Sequence, residues 1–217
     1  MLNLACENRS ITPLQFSFTF PEENQLPVAT EERRRLRIMK TEYEVKILDV
    51  DVEEIKKKLE GIGAEKYLER EMRRYVYDIE PADQSRWIRL RDNGEKITLT
   101  IKKIENDNID GTKEIEVKVD NFDKTNLLLN ELGFSHKAYQ ENRRISYRLD
   151  GVKIEIDFWP KIPPYIEVEG ASEEEIEKVI KMLGYKMAQT TSMGTTKVYE
   201  EKYGINIHDF KELKFDE

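Results

Sequence analysis

The chain has 217 residues, 38% hydrophobic and 37% charged, with a net charge of −8; an acidic balance argues against a protein that grips long nucleic acid, while leaving room for a small anion in a local basic pocket. One cysteine, Cys6, excludes a disulfide framework and a cysteine-based zinc site, and only two histidines, His136 and His208, argue against a multi-histidine metal site. No apolar run is long enough to span a membrane and no signal-peptide pattern is present, so the expected compartment is the cytoplasm.

Residues 1–38 lack periodicity, hold three of the seven prolines and run into Glu31-Glu32-Arg33-Arg34-Arg35. Two readings stand: a disordered extension, or a mis-assigned start with Met39 as the initiator, since codons for a Glu-Glu-Arg run can be purine-rich like a ribosome-binding site. Residues 39–217 read as a single domain. It opens with Glu42-Tyr43-Glu44-Val45-Lys46, a strand whose charged residues share one face. Asp51 then caps a helix carrying Val52, Ile55 and Leu59, with Gly61 as its stop. A long strand, Glu65 to Asp78, is followed by a turn at Pro81 to Gln84 and a strand through Trp87 to Arg91. Asp92-Asn93-Gly94 is a hairpin signal, with Lys96 to Lys102 returning.

After a polar loop, a second acidic strand spans Thr112 to Val119, and a helix runs from Phe122 to Leu132, ending at Gly133. A further long strand, Lys137 to Leu149, turns at Asp150-Gly151 into Val152 to Phe158. The third acidic strand, Tyr165 to Glu169, precedes a helix capped at Ser172 and ending near Gly184. A last helical stretch covers Thr195 to Tyr203, and the remainder reads as a polar tail. Residues 114–133 lie over 165–184 without a gap, so acidic strand plus helix is a repeated unit.

Sorting the strands by face puts Glu42, Glu44, Lys46, Arg89, Arg91, Lys102, Glu114, Glu116, Arg144, Glu155, Asp157, Glu167 and Glu169 on one side, with Arg73 and Arg143 on the other. Val45, Ile47, Ile88, Leu90, Leu99, Ile101, Ile115, Val117, Ile154, Ile156, Ile166 and Val168 form the opposite, apolar faces. Helices need an apolar surface to pack on. The apolar faces therefore turn outward beneath the helices, and the charged faces line a barrel or deep cleft. An inner wall carrying both signs suits a polyphosphate with its metal: carboxylates take hard cations such as Mg²⁺ or Mn²⁺, while Arg and Lys take phosphate oxygens.

The Glu-x-Glu-x-Lys strand, the Arg89-Leu90-Arg91 strand, the strand ending at Lys102 and the later acidic strands, in this order, resemble the CYTH domain, or triphosphate tunnel metalloenzyme, family. The resemblance covers about Thr41 to Ile205. It implies an α+β fold: a closed or nearly closed eight-stranded antiparallel β-barrel, a tunnel, with helices packed outside. It also implies catalytic roles for Glu42, Glu44 and Lys46. Metal ligands would come from Glu42, Glu44, Glu116, Asp157, Glu167 and Glu169, and a triphosphate grip from Lys46, Arg89, Arg91, Lys102 and Arg144. Mg²⁺ or Mn²⁺ is the implied cofactor, and ATP, thiamine triphosphate or inorganic triphosphate the implied substrate; a homodimer is compatible. Hydrolysis is the favoured activity. The alternatives are a class IV adenylyl cyclase releasing pyrophosphate, and a non-catalytic binder. Two positions depart from the family pattern: Asn142 stands where a Lys is common, and Ser192-Met193 where some members have Ser-Tyr.

Overall fold

In β1 (Lys40–Ile47), charged and apolar side chains alternate, and the computed structural model turns the charged ones to the inside of a barrel. It describes residues 39–80 and 85–216; the two readings of residues 1–38 and the turn expected at Pro81 to Gln84 lie outside that range. The other strands are β2 (Glu65–Asp78), β3 (Arg86–Asp92), β4 (Ile97–Ile104), β5 (Thr112–Val119), β6 (His136–Leu149), β7 (Val152–Phe158) and β8 (Tyr165–Gly170). They pair in the order β2-β3-β4-β5-β1-β8-β7-β6, and β6 pairs back with β2, closing an eight-stranded ring in which every neighbour is antiparallel. The closure leaves no edge among these strands to attract another chain.

Three ten-residue helices follow the three acidic strands: α1 (Val52–Gly61) after β1, α2 (Phe122–Glu131) after β5 and α3 (Glu173–Met182) after β8. Each begins at a side-chain cap. Asp51 accepts from the Glu54 N–H at 2.9 Å, Asn121 from the Lys124 N–H at 2.8 Å and Ser172 from the Glu175 N–H at 3.4 Å. The stop of α1 is not Gly61, which is still helical, but Gly63, with φ +78°. The Gly63 and Ala64 N–H groups bond back to Glu60 and Leu59, a left-handed closure that a Cβ would strain. The β6–β7 hairpin turns on Asp150 and Gly151, both at positive φ, which matches the right-handed twist of the flanking strands.

The outward apolar faces are covered unevenly. Val45, Ile47, Ile154, Ile156, Ile166 and Val168 are buried under Ile55 and Leu59 of α1 and Ile176, Val179 and Ile180 of α3. Ile88 and Leu90 pack with Phe122 and Leu129 of α2. The expectation that every apolar strand face lies beneath a helix fails on β4 and β5, where Ile101, Ile115 and Val117 are 40, 43 and 52% exposed. A ten-residue helix is only about 15 Å long, so three of them cannot sheathe a whole barrel.

The C-terminal region corrects a second expectation. Helix α4 (Thr195–Lys197) continues as a π-helical turn, Val198–Lys202, within the predicted stretch. Beyond it the chain is not a loose polar tail: β9 (Glu212–Leu213) pairs in parallel with Tyr139 and Gln140 of β6. Ile207 and Leu213 are buried with Trp159, Tyr165, Val198 and Tyr199. Two isolated apolar residues in a charged stretch carry no periodicity, so only their burial reveals them. Among the described residues, no helix is long and apolar enough to cross a membrane.

Candidate active site

The barrel encloses a cavity of about 760 Å³. Glu42, Glu44, Lys46, Arg89, Arg91, Lys102, Glu116, Arg144, Glu167 and Glu169 all line it. Asp157 does not; it lies fully buried behind Arg144. Cross-strand register accounts for the convergence. Glu44 faces Glu169 and Lys46 faces Glu167 across β1 and β8, Lys102 faces Glu114 across β4 and β5, and Arg144 faces Asp157 across β6 and β7.

One wall, built on β1, β8, β7 and β6, alternates in sign. The Lys46 ammonium, 1% exposed, lies 3.0 Å from Glu44 Oε1 and 3.2 Å from Glu167 Oε2. Burial works to lower its pKa, but Glu44 and Glu167 outweigh that and raise it well above the usual lysine value, so it is a fixed cation. Glu167 also accepts from Arg144 Nη2 at 3.2 Å. Arg144 further binds Glu155 and grips both oxygens of Asp157, with Nε to Oδ1 at 2.8 Å. Burial pushes the Asp157 carboxyl up, against the pull of Arg144, to about 6. Glu169 takes Lys153 at 2.9 and 3.0 Å. Where β1 approaches β5 and β4, Lys102 Nζ lies 2.6 Å from Glu42 Oε2 and 3.7 Å from Glu114 Oε2. The Glu114 Oε2 atom is buried and accepts no hydrogen bond.

The other wall, on β2 and β3, is arginine-rich. Arg91 lies 3.5 Å and Arg89 3.7 Å from Glu116, which also takes Lys96 at 3.1 Å and the Thr100 hydroxyl at 3.1 Å. Burial would raise the Glu116 pKa, but the Lys96 hydrogen bond and the charge of Arg91 hold it down at about 2. Burial, then Arg89 and Arg144, bring Arg91 down to about 9. The pattern of charged strand faces pointed to Arg89 and Arg91, left Arg74 of β2 undecided and did not reach Arg70; both of these also line the cavity. Arg74 is buried, donates to the Asn142 amide oxygen and lies 4.6 Å over the Trp159 ring. Asn142, the departure from the family pattern, is thus buried between Arg74 and Asp157, donating to the latter at 3.2 Å. Arg73 and Arg143 lie outside, over Phe122 and Phe158. His136 and His208 are exposed, His208 at the cavity rim.

Among the described residues, no three Asp, Glu, His or Cys side chains are arranged around one point as a metal cage. Mg²⁺ does not need one, because it is commonly held by one or two carboxylates together with substrate phosphates. Glu42 and Glu114 share Lys102, and the unbonded Glu114 oxygen adds a hard donor beside them, so the donor chemistry fits such an ion.

A closed antiparallel tunnel lined by fixed charges of both signs defines the class of protein. Residues 36–194 match the CYTH domain model, and the chain belongs to that family. The PH1012 protein of Pyrococcus horikoshii is similar over 70% of this chain and 96% of its own, with 26% identity and a TM-score of 0.62. An adenylate cyclase candidate from Vibrio parahaemolyticus shares the fold at 14% identity over 75% of this chain and 99% of its own, TM-score 0.63. So does HpAC1 from Hippeastrum, an adenylyl cyclase candidate with a dominant triphosphatase activity, at 17% identity over 78% of this chain and 99% of its own, TM-score 0.51. No curated protein matches.

Proposed function

We propose that the chain is a metal-dependent phosphoryl-transfer enzyme that hydrolyses a triphosphate inside the tunnel. The observation that carries this reading is the pairing of an arginine-rich wall with a wall of alternating carboxylates and cations across one cavity, an arrangement that CYTH membership associates with triphosphate chemistry. Phosphoryl transfer needs the charge on the transferred group neutralised and the chain held in line. Arg89, Arg91, Lys102 and Arg144 bind the phosphate oxygens, and Lys46, locked between Glu44 and Glu167, adds a cation that cannot lose its proton. Glu42, Glu44 and Glu114 would hold Mg²⁺ or Mn²⁺, with Glu167 and Glu169 as the facing carboxylates; such an ion would supply charge neutralisation and lower the pKa of an attacking water. Asp157 orients Arg144, and Glu116 is the counter-ion of the arginine wall.

The cavity is also large enough for a nucleoside triphosphate, so the class IV cyclase activity is the second reading. Assays with inorganic triphosphate, thiamine triphosphate and ATP, each with Mg²⁺ or Mn²⁺, separate the two. Release of inorganic phosphate is the expected result; cyclic AMP with pyrophosphate establishes the cyclase. Metal-dependent binding with no turnover would leave a non-catalytic binder and overturn the enzyme assignment. Glu44→Gln is expected to lower turnover by about 100-fold or more, since it removes one anchor of Lys46 and one metal donor.

A further inference from the structure

Strand β2 places arginines directly opposite arginines: Arg74 is the cross-strand partner of Arg91, and Arg70 of Arg144. Like charges so placed are unfavourable in a sheet. Around Arg144 the conflict is relieved by Asp157, Glu155 and Glu167. Arg74 has no such relief. Its hydrogen bond goes to the neutral Asn142 amide, and its face lies on Trp159. Asp157, whose charge also reaches Arg74, gives both oxygens to Arg144. Glu116 is shared among Arg89, Arg91 and Lys96.

Buried donors are normally satisfied. Here the Nε atoms of Arg74 and Arg91 and the indole Nε1 of Trp159 are all buried and make no hydrogen bond. Leftover donors of one sign call for an oxygen-rich anion. Trp159 also lines the cavity. It is 5% exposed, packs edge-on against Tyr199 with ring centroids 6.3 Å apart, and Tyr199 is fully buried.

We propose that Arg74, Arg91 and the indole N–H of Trp159 form a pocket for the terminal phosphoryl group of a linear polyphosphate, with Arg74 as its specificity-determining donor. A terminal phosphoryl group offers three acceptor oxygens and nearly two charges, more than an internal phosphate, which suits a cluster of unpaired donors beside facing guanidiniums. The assignment rests on the triphosphate reading above.

The test compares linear triphosphate, as its nitrogen-bridged imido analogue, with cyclic trimetaphosphate, which has no terminal group. Both are titrated calorimetrically into the full chain, in EDTA and again with Mg²⁺. Wild type is expected to prefer the linear form, and Arg74→Met to lose about 10- to 100-fold in affinity for it while losing little for the ring. Arg74→Lys, which keeps the charge but not the planar fork, falls between the two and stands in should the Met variant not fold. Trp159→Phe, which keeps the ring and removes the N–H, is expected to lose a few-fold for the linear form alone. If the Arg74 variants bind linear triphosphate like wild type, or lose both ligands equally, the terminal pocket is wrong while the tunnel reading stands. If wild type binds neither ligand under either condition, the tunnel reading fails and takes the pocket with it.

Discussion

The two walls of the tunnel hold their charge in opposite ways. On β1, β8, β7 and β6 each cation sits among carboxylates, and Glu44, Lys46, Glu167, Arg144 and Asp157 form a continuous chain of alternating sign. On β2 and β3 guanidiniums face guanidiniums, and Glu116 answers for three cations. The first wall is complete in itself, so its members fix one another in place. The second leaves Arg74 without an ion pair among the described residues, and under the triphosphate proposal a bound anion would relieve its like-charge contacts.

The sharpest way to break this comparison is stability. Arg144→Met leaves three carboxylates, Asp157, Glu155 and Glu167, without their shared guanidinium, and is expected to cost about 3–5 kcal/mol in urea unfolding. Arg91→Met removes a cation from a crowd of its own sign and is expected to be neutral or stabilising. Equal losses in both variants would show that the walls do not differ. Next in size is ligand stabilisation. Triphosphate at 100 times its Kd should stabilise wild type by about 2.7 kcal/mol, and at that same concentration Arg91→Met should retain only part of the gain, measured as a rise in Tm.

A smaller effect is expected in acid. Glu116 is held at about 2, below its usual 4.5. A carboxylate depressed in the folded state contributes stability that is present above the unfolded pKa and lost as pH falls through the folded one. Wild type should therefore lose stability between pH 4.5 and 2 more steeply than Glu116→Gln, in paired denaturant titrations across that window. The smallest effect belongs away from both walls. Ser172→Ala removes the α3 cap and should cost about 1 kcal/mol, leaving triphosphate affinity unchanged.

The site was legible where strands alternate cleanly. Glu42, Glu44 and Lys46 sit at every second position with apolar residues between, so their common face follows from the pleat, and the same holds for Arg89 with Arg91 and for Glu167 with Glu169. Strand β2 resists that reading. Arg73 and Arg74 are adjacent, so one must face inward and the other outward, and the inward row mixes Arg70 and Arg74 with Met72 and Val76. Register shifts between Lys66 and Leu68 and between Val76 and Tyr77 further blur its period. Asn142 shares the strand face of Arg144 but is neutral, and Trp159 stands outside any strand, so neither showed its part in the site until its partners Arg74 and Asp157 were placed.

By itself the sequence determined the strands and their charged faces, the helix caps, and the hairpins at Asn93-Gly94 and Asp150-Gly151, because these depend on local periodicity and backbone preference. The tertiary structure decided which charges meet. Lys46 joins Glu167 across 121 positions of chain, and Arg74 lies on Trp159 across 85. It also decided which apolar faces stay uncovered and that Ile207 and Leu213 close one end of the core. Such pairings depend on barrel closure and on the register between strands distant in sequence, and period-two alternation within one strand holds no information about either.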